Sequence, residues 1–510
     1  MFSSLYPIAY LLTLGALTGW FYFRDNEQKA PLFRKVFFGA LLAYVLCWLF
    51  ASGSFSYKLA ALLRELLLLA LLPLLLSVFR KVTWAYIAFL VVSLISLKKW
   101  YFPELARTFP QEVLTEAVEV DEAAELLIEV REGHSLSEVQ PILDRFNITA
   151  TPAFTMAHPE ATDLDDYYAL DVPSANGELL HEVRAVLQEN EAVEWLEANE
   201  KIFVGPEEAT TARTTRSRFG LNDPGVSQLW GFEEMKVGEV VKFLANAEPK
   251  KQALIAILDT GVDAGHEDLA ANYISTKKIY DTDRRGHGTH CAGIAGAVSN
   301  NGIGIASFSP NNKHVRITSI KVLNDSGFGS QRTIINGMLE AADRGADVLS
   351  MSLGGPSSDR QQRAYQKAVE YANKKGAIVV VAAGNSNRNA RNYAPANTPG
   401  VITVTAVDTA LNRASFSNTV EDLQWGVAAP GVAIYSAIPG SQYGLKSGTS
   451  MATPYVAGLV GILKSLNPTL TTEQAYRILN ATGKKLKTGK KTGKLIQAGE
   501  AVRIGMRDEG

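Results

Sequence analysis

Four side chains in this sequence carry the chemistry of hydrolysis. Asp259 closes the apolar run Leu254-Ile255-Ala256-Ile257-Leu258 and is followed by Thr260-Gly261. A carboxylate emerging from a buried strand needs a hydrogen-bonding partner, because an isolated buried charge is very costly. His287 lies in Arg285-Gly286-His287-Gly288-Thr289-His290, where the flanking glycines leave its imidazole room for close approach by another group. Asn385 ends Val380-Val381-Ala382-Ala383-Gly384 with an amide side chain. Ser450, in Gly448-Thr449-Ser450-Met451-Ala452-Thr453-Pro454, opens an apolar helix expected to run to about Leu466. A hydroxyl at a helix N-terminus has backbone N–H groups and the positive dipole end beside it, which suits an oxyanion. Singly, Asp259 reads as a cap, His287 as a satisfied polar residue, Asn385 as a turn former and Ser450 as an N-cap. Together, in the order Asp, His, Asn, Ser, they supply a base-orienting carboxylate, a base, an amide donor and a nucleophile.

The elements that must position them are strands at 254–258, 317–322, Val348–Met351, Ile378–Ala382 and 401–407. Apolar β-branched strands separated by helices predict a parallel sheet with helices on both faces across a block at 220–507. Chemistry on such a sheet sits at the carboxyl ends of the strands. An earlier block, 108–204, reads as strand Leu126–Val130, helix 135–146, strands 148–156 and 167–172, helix 177–189 and strand 192–197. That β-α-β-β-α-β order predicts an α+β, ferredoxin-like arrangement. Between the blocks, 205–219 is rich in Thr, Arg and Glu and reads as a linker.

The first hundred residues are of another kind. Residues 1–23, 36–57 and 82–97 carry no charge, nor does the leucine-rich stretch 66–79, which 59–63 extends if Arg64 and Glu65 are tolerated as neighbours of opposite sign. With about 20 apolar residues needed to cross a bilayer, residues 1–100 are expected to form a four-helix transmembrane region. The first stretch lacks a basic start and is too long for the apolar core of a cleaved leader, so an uncleaved helix is expected. Arg24, Lys29, Arg34 and Lys35 in the first loop place that loop in the cytoplasm. Four spans then put the rest of the chain on the extracytoplasmic side of the cell membrane. Intramembrane proteolysis is excluded, because every candidate segment lies outside the spans.

The whole chain of 510 residues is 20% charged, 47% hydrophobic and of net charge −2, which excludes a nucleic-acid binder and a disordered chain. Two cysteines, Cys47 and Cys291, allow at most one disulfide, so this is no disulfide-stapled scaffold.

The segments around Asp259, His287, Asn385 and Ser450 resemble the signature segments of the subtilisin-like serine proteases, over about residues 220–480, and the order Asp, His, Ser is that family's order. The resemblance implies an α/β subtilisin-like catalytic domain acting as a serine endopeptidase on protein or peptide substrates. Ser450 would be the nucleophile, His287 the general base, Asp259 its orienting partner and Asn385 the oxyanion-hole donor, with His290 structural and Cys291 a buried thiol. Ser352, Leu353 and Gly354 resemble the segment that pairs with the substrate backbone, and Gly327-Phe328-Gly329 the opposite wall of that cleft. The 108–204 block resembles the family's inhibitory propeptide, a partner that packs on the protease with its tail in the cleft until cut somewhere in 204–222. Tyr455 stands where the family commonly has His. Asp268 and Asn301, the latter in Ser299-Asn300-Asn301-Gly302, resemble a calcium site; the chemistry itself requires no cofactor. The other reading is a scaffold or membrane sensor that keeps the fold without using it, for which a missing catalytic residue is expected; none is missing.

Overall fold

The computed structural model describes residues 2–50, 62, 65, 69, 119–173, 177–205, 214, 219–357 and 362–506. The chain divides into two compact units, Met1–Ala117 and Val118–Gly510.

In the first unit, α1 (Phe2–Tyr22) and α2 (Ala30–Phe50) pack through Tyr10, Leu14, Tyr44 and Cys47. Among the described residues one helix is long and apolar enough to cross a membrane, Ala30–Trp48. It starts before the expected 36, so Arg34 and Lys35 fall inside its first turns rather than in the loop. Long basic side chains tolerate this by running their apolar stems along the helix and keeping the charge at the end. Glu65, buried, accepts a hydrogen bond from the Tyr44 hydroxyl at 2.5 Å. The expected spans at 59–79, apart from residues 62, 65 and 69, and at 82–97 lie outside the described residues.

Among its described residues the second unit holds two large sheets and three two-stranded ones. Strands β1 (Leu126–Val130), β2 (Thr149–Pro152), β3 (Tyr167–Asp171) and β4 (Val193–Ala198) form an antiparallel sheet in the order β2-β3-β1-β4. Helices α3 (Leu136–Arg145) and α4 (Gly177–Gln188) follow β1 and β3. Side chains alternate across a strand, and the sheet uses both sets. Leu126, Ile128 and Leu170 face α3 and α4, around Val139, Leu143, Val183 and Leu187. Leu127, Tyr167 and Ala169 join a different core, described below. A short strand β5 (Lys201–Phe203) follows.

After helices α5 (Trp230–Glu234) and α6 (Val237–Leu244) comes the large sheet. Its elements in chain order are β6 (Ala253–Asp259), α7 (His287–Gly296), β7 (Val315–Lys321), β8 (Phe328–Ser330), α8 (Gln331–Asp343), β9 (Val348–Met351) and β10 (Gly355–Pro356). Then follow α9 (Arg363–Lys374), β11 (Ile378–Ala382), β12 (Tyr393–Ala394), β13 (Ile402–Val407) and β14 (Gly426–Pro430). The hairpin β15 (Ile434–Ile438) and β16 (Gln442–Lys446), helices α10 (Thr449–Leu466) and α11 (Thr472–Thr482), β17 (Lys494–Leu495) and α12 (Ala498–Gly505) complete it. Seven strands pair in parallel in the order β17-β14-β13-β11-β9-β6-β7. The chain steps outward from β6 to β7, then returns past β6 to β9, so the strand order reverses beside β6 and β9. That reversal opens a crevice at their carboxyl ends, and Asp259 and Ser352 stand there.

The two large sheets belong to one compact unit, and besides its own core around α3 and α4 the four-stranded sheet shares a second core with helices α8 and α9. Leu127, Phe154, Leu164 and Tyr167 pack with Ile334, Ile335 and Met338 of α8 and with Tyr365 of α9. Polar groups reinforce the contact at the N-termini of those helices, whose first N–H groups have no partner within the helix. Glu197 accepts from Gln331 Nε2 (2.8 Å), Arg363 N (3.0 Å) and Ala364 N (3.3 Å). Asn199 Oδ1 takes Arg332 N at 3.0 Å, and the Glu200 carbonyl takes Gln331 N at 2.9 Å.

Burial pushes the Glu197 carboxyl up to about 7, against the pull of its N–H donors. A folded-state pKa raised above the unfolded value near 4.5 gives stability that is full below about 4.5 and lost as pH rises through about 7. In denaturant unfolding of the full chain in detergent, Glu197→Gln is expected to flatten the fall between those pH values, a fall of order 3 kcal/mol. An unchanged pH dependence in the variant would rule Glu197 out as its source.

Candidate active site

Asp259 is the last residue of β6 and is fully buried. Its Oδ1 accepts Thr260 N (2.7 Å) and lies 2.8 Å from His287 Nδ1, while Oδ2 lies 2.9 Å from the same nitrogen. The partner demanded of a buried carboxylate is therefore the imidazole. His287 is the first residue of α7, and its neighbours explain how the helix gets so close. Gly286 has φ +79°, and a Cβ on Gly288 would fall 2.1 Å from the Gly261 carbonyl and 3.1 Å from Asp259 Cβ. Any side chain at 288 would drive α7 off β6. Burial disfavours the His287 imidazolium, but the Asp259 carboxylate outweighs it and the pKa stands well above the ordinary value.

Asp283, which the sequence reading missed, holds the start of α7. Its Oδ1 accepts Gly286 N (2.8 Å), and its Oδ2 accepts Thr289 N (2.9 Å) and Thr289 Oγ1 (2.8 Å). It also takes the Thr260 hydroxyl at 2.8 Å, tying the loop after β6 to the same point. The available signal was an Asp just ahead of a Gly-flanked helix start, a capping position. His290, one turn on, lies near the Ile434 and Gly444 carbonyls (3.1 and 3.2 Å), and burial pulls its pKa to about 3. It is a neutral residue holding the β15–β16 hairpin.

Ser450 is the second residue of α10, a helix buried on every side because it runs between the sheet and α7. Its hydroxyl donates to the Ser352 carbonyl at 3.2 Å. The Ser450 carbonyl accepts from Ser352 Oγ (2.7 Å) and Cys291 Sγ (3.5 Å). Cys291 is a buried thiol whose pKa burial raises, and both cysteines are free. Asp259, His287 and Cys291 bring potential metal-binding atoms within 4.8 Å of one another, but two of the three are the bonded pair above. Asn385 Oδ1 accepts Thr449 N (2.9 Å) and Thr449 Oγ1 (2.8 Å), which turns Nδ2 toward the crevice. Asn418, also missed, fixes the Asn385 loop by donating to Ala383 O and accepting from Ser386 N and Arg388 N. Tyr455 is an apolar partner of Phe232 and Phe308 and stands apart from this chemistry.

The expected cleft walls are β8 and the segment after β9, and the chain itself lies between them. Ile202 pairs with Gly329, Phe203 exchanges hydrogen bonds with Gly354 (3.4 and 3.3 Å), and Val204 N donates to the Gly327 carbonyl at 3.1 Å. Gly205 follows against Asn385, whose Nδ2 is 2.8 Å from where a Gly205 Cβ would stand.

Asp268 and Asn301 also meet, with Nδ2 to Oδ1 at 2.8 Å, and Asp268 Oδ2 takes Ile305 N at 2.8 Å. Asp223, a further residue the sequence reading missed, accepts Asn300 N and Asn301 N. Burial, with Asp223 adding, pushes Asp268 up to about 7. Neither carboxylate has a cationic partner among the described residues. Asn301 presents its NH₂ to Asp268 while its Oδ1 accepts Ile303 N at 2.8 Å, so the oxygens a hard cation would need come from the two carboxylates.

What the strand ends assemble is chemistry for attacking a carbonyl with a serine hydroxyl, on a parallel sheet covered by helices: an α/β serine hydrolase. Comparison with known proteins supplies the family. Residues 250–497 match the subtilase family, peptidase S8. Thermitase from Thermoactinomyces vulgaris is 47% identical over 220 residues, 42% of this chain and 75% of that protein. Subtilisin DY from Bacillus licheniformis is 42% identical over 240 residues, 46% of this chain and 84% of that protein. The chain belongs to the subtilase family and is a serine endopeptidase.

Proposed function

We propose that this subtilase is a membrane-anchored endopeptidase, made latent, in which Ser450 attacks the substrate carbonyl. The buried Asp259–His287 pair beside Ser450 carries the reading. His287 takes the Ser450 proton as the Oγ–C bond forms and returns it to the leaving nitrogen as the C–N bond breaks. Asp259 holds the imidazole with its proton on Nδ1 and balances the charge it acquires. Asn385 Nδ2 and the Ser450 N–H donate to the oxyanion, and no cofactor takes part in the chemistry. Ser352, Leu353 and Gly354 on one side and Gly327 and Gly329 on the other pair with a peptide substrate as an added strand.

Helix α2 supports anchoring in a bilayer. Residues 119–205 support latency, because an acidic, ferredoxin-like block caps two helices of the protease and its tail lies in the cleft. Asp223 and Asp268 would hold a calcium ion that ties the loop at 299–305 to the preceding chain, supplying stability rather than chemistry.

Asn385→Ala should leave the fold intact and lower kcat by about 10² to 10³, roughly 2.7 to 4 kcal/mol, a magnitude carried over from a subtilisin. Steady-state kinetics check this, and a loss under about threefold would remove Asn385 from the oxyanion site. The function as a whole is tested with a fluorophosphonate probe on chain whose linker has been opened with trypsin and whose residues 119–205 have been digested away, the trypsin being inhibited before the probe is added. Labelling at Ser450, absent in Ser450→Ala, is expected. An opened chain that takes no label would be a scaffold and not an active peptidase.

A further inference from the structure

The strand in the cleft has a definite register. From Ile202 against Gly329, through Phe203 bonded both ways to Gly354, to Val204 on the Gly327 carbonyl, each residue makes the backbone contacts of an inserted strand. The register ends with Gly205, which with Phe203, Leu353 and Asn385 lines a cavity reaching Ser450. The carbonyl presented to the nucleophile is therefore that of Gly205, and the bond next to it runs to Pro206, the following residue in the sequence.

We propose that Pro206 decides the fate of the self-reaction: it makes residues 201–205 a substrate-like strand that the enzyme binds but does not cut. The proposal rests on the triad reading above and specifies how that site is regulated. Cutting would require Ser450 Oγ to bond to the Gly205 carbonyl carbon, with its proton passing to His287. The C–N bond would then break as the imidazolium delivered that proton to the departing nitrogen. A prolyl nitrogen has no hydrogen and carries a ring carbon in its place. With two carbon substituents and no hydrogen, the prolyl nitrogen can bring its lone pair to the imidazolium only by swinging a carbon where an ordinary amine swings a hydrogen. Without protonation of the leaving group, general-acid catalysis worth about 10² to 10⁴ is lost. The intermediate then returns to the intact chain, and the strand stays where it is. Self-cutting elsewhere in cis is excluded by the same register, which offers Ser450 one bond only. Activation thus takes a cut in the linker by a second protease molecule, followed by removal of the strand.

The test uses the full chain in detergent as wild type, Pro206→Ala, Pro206→Ser and Pro206→Ala/Ser450→Ala, each read by intact mass, N-terminal sequencing and fluorophosphonate labelling. The wild type is expected to show no terminus at position 206. Both single variants should acquire one at least roughly a hundredfold faster, and the double variant should stay whole. A wild-type terminus at 206 would overturn the proposal, as would single variants that take the probe yet remain joined at 205–206. Absence of label in every version, including wild type opened with trypsin and freed of residues 119–205, would overturn the triad reading and this proposal with it.

Discussion

Ser450→Ala, His287→Ala and the double variant are expected to lose the same factor in kcat, roughly 10⁶, the magnitude seen in a subtilisin. Attack by Oγ and removal of its proton are one event, so deleting either partner deletes both, and the second deletion has nothing left to remove. The geometry makes the coupling strict here. His287 is fully buried with Nδ1 committed to Asp259, and in the proposed reaction the Ser450 hydroxyl leaves the Ser352 carbonyl to give its proton to that imidazole. The measurement is kcat on a peptide substrate, with the linker opened by trypsin and residues 119–205 digested away. Losses that add in the double variant would mean that the two residues act separately, and a His287→Ala chain keeping more than about a thousandth of the activity would point to another base.

Asp259→Asn should cost about 10⁴ in kcat while the fold stays intact. The reason lies in the two oxygens of Asp259. Oδ1 accepts the Thr260 N–H at 2.7 Å, so the asparagine keeps its oxygen there and turns its NH₂ to His287 Nδ1. Nδ1 must then accept, its proton moves to Nε2, and the ring can no longer take a proton from Ser450. The pH profile of kcat/KM separates this from a general loss of structure. The carboxylate is what holds the His287 pKa up against burial, and neutral imidazole is the active form. Removing the charge therefore lowers the pKa and moves the acid limb of the residual activity to lower pH. A limb that stays in place would mean that Asp259 does not set the charge of His287.

The sheet was legible because parallel strands are buried on both faces and read as unbroken apolar runs. Val348–Met351 and Ile378–Ala382 fall where the pattern puts them, and 254–258 and 401–407 differ from the observed strands by a residue at one or both ends. Strand β14, Gly426-Val427-Ala428-Ala429-Pro430, was missed because glycine, proline and alanine are poor strand signals, yet β13 and the core on either side hold it in the sheet. Asp259, His287, Asn385 and Ser450 stood out in the sequence because each combines an unusual side chain with a strand end or helix start. Asp283, Asn418 and Asp223 did not. Asn418 and Asp223 accept backbone N–H groups from loops distant in the sequence, which only folding reveals, and what folding adds at Asp283 is the Thr260 hydroxyl. Glu197 and Glu200 were hidden for a similar reason: they look like solvated charges on a strand until the N-termini of α8 and α9 arrive opposite them.

The strand filling the cleft is joined to β4 by only the two residues before Lys201. So short a connection makes its binding intramolecular, at an effective concentration of about millimolar or more. An outside peptide must compete with that figure rather than with the amount of enzyme in solution. A peptide that would bind the empty cleft with a Kd of about 1 μM meets a competitor that dilution cannot remove. Under the proposed latency, the inhibited state would therefore be independent of the enzyme's concentration, and crowding copies together would awaken it only by letting one molecule reach the linker of the next.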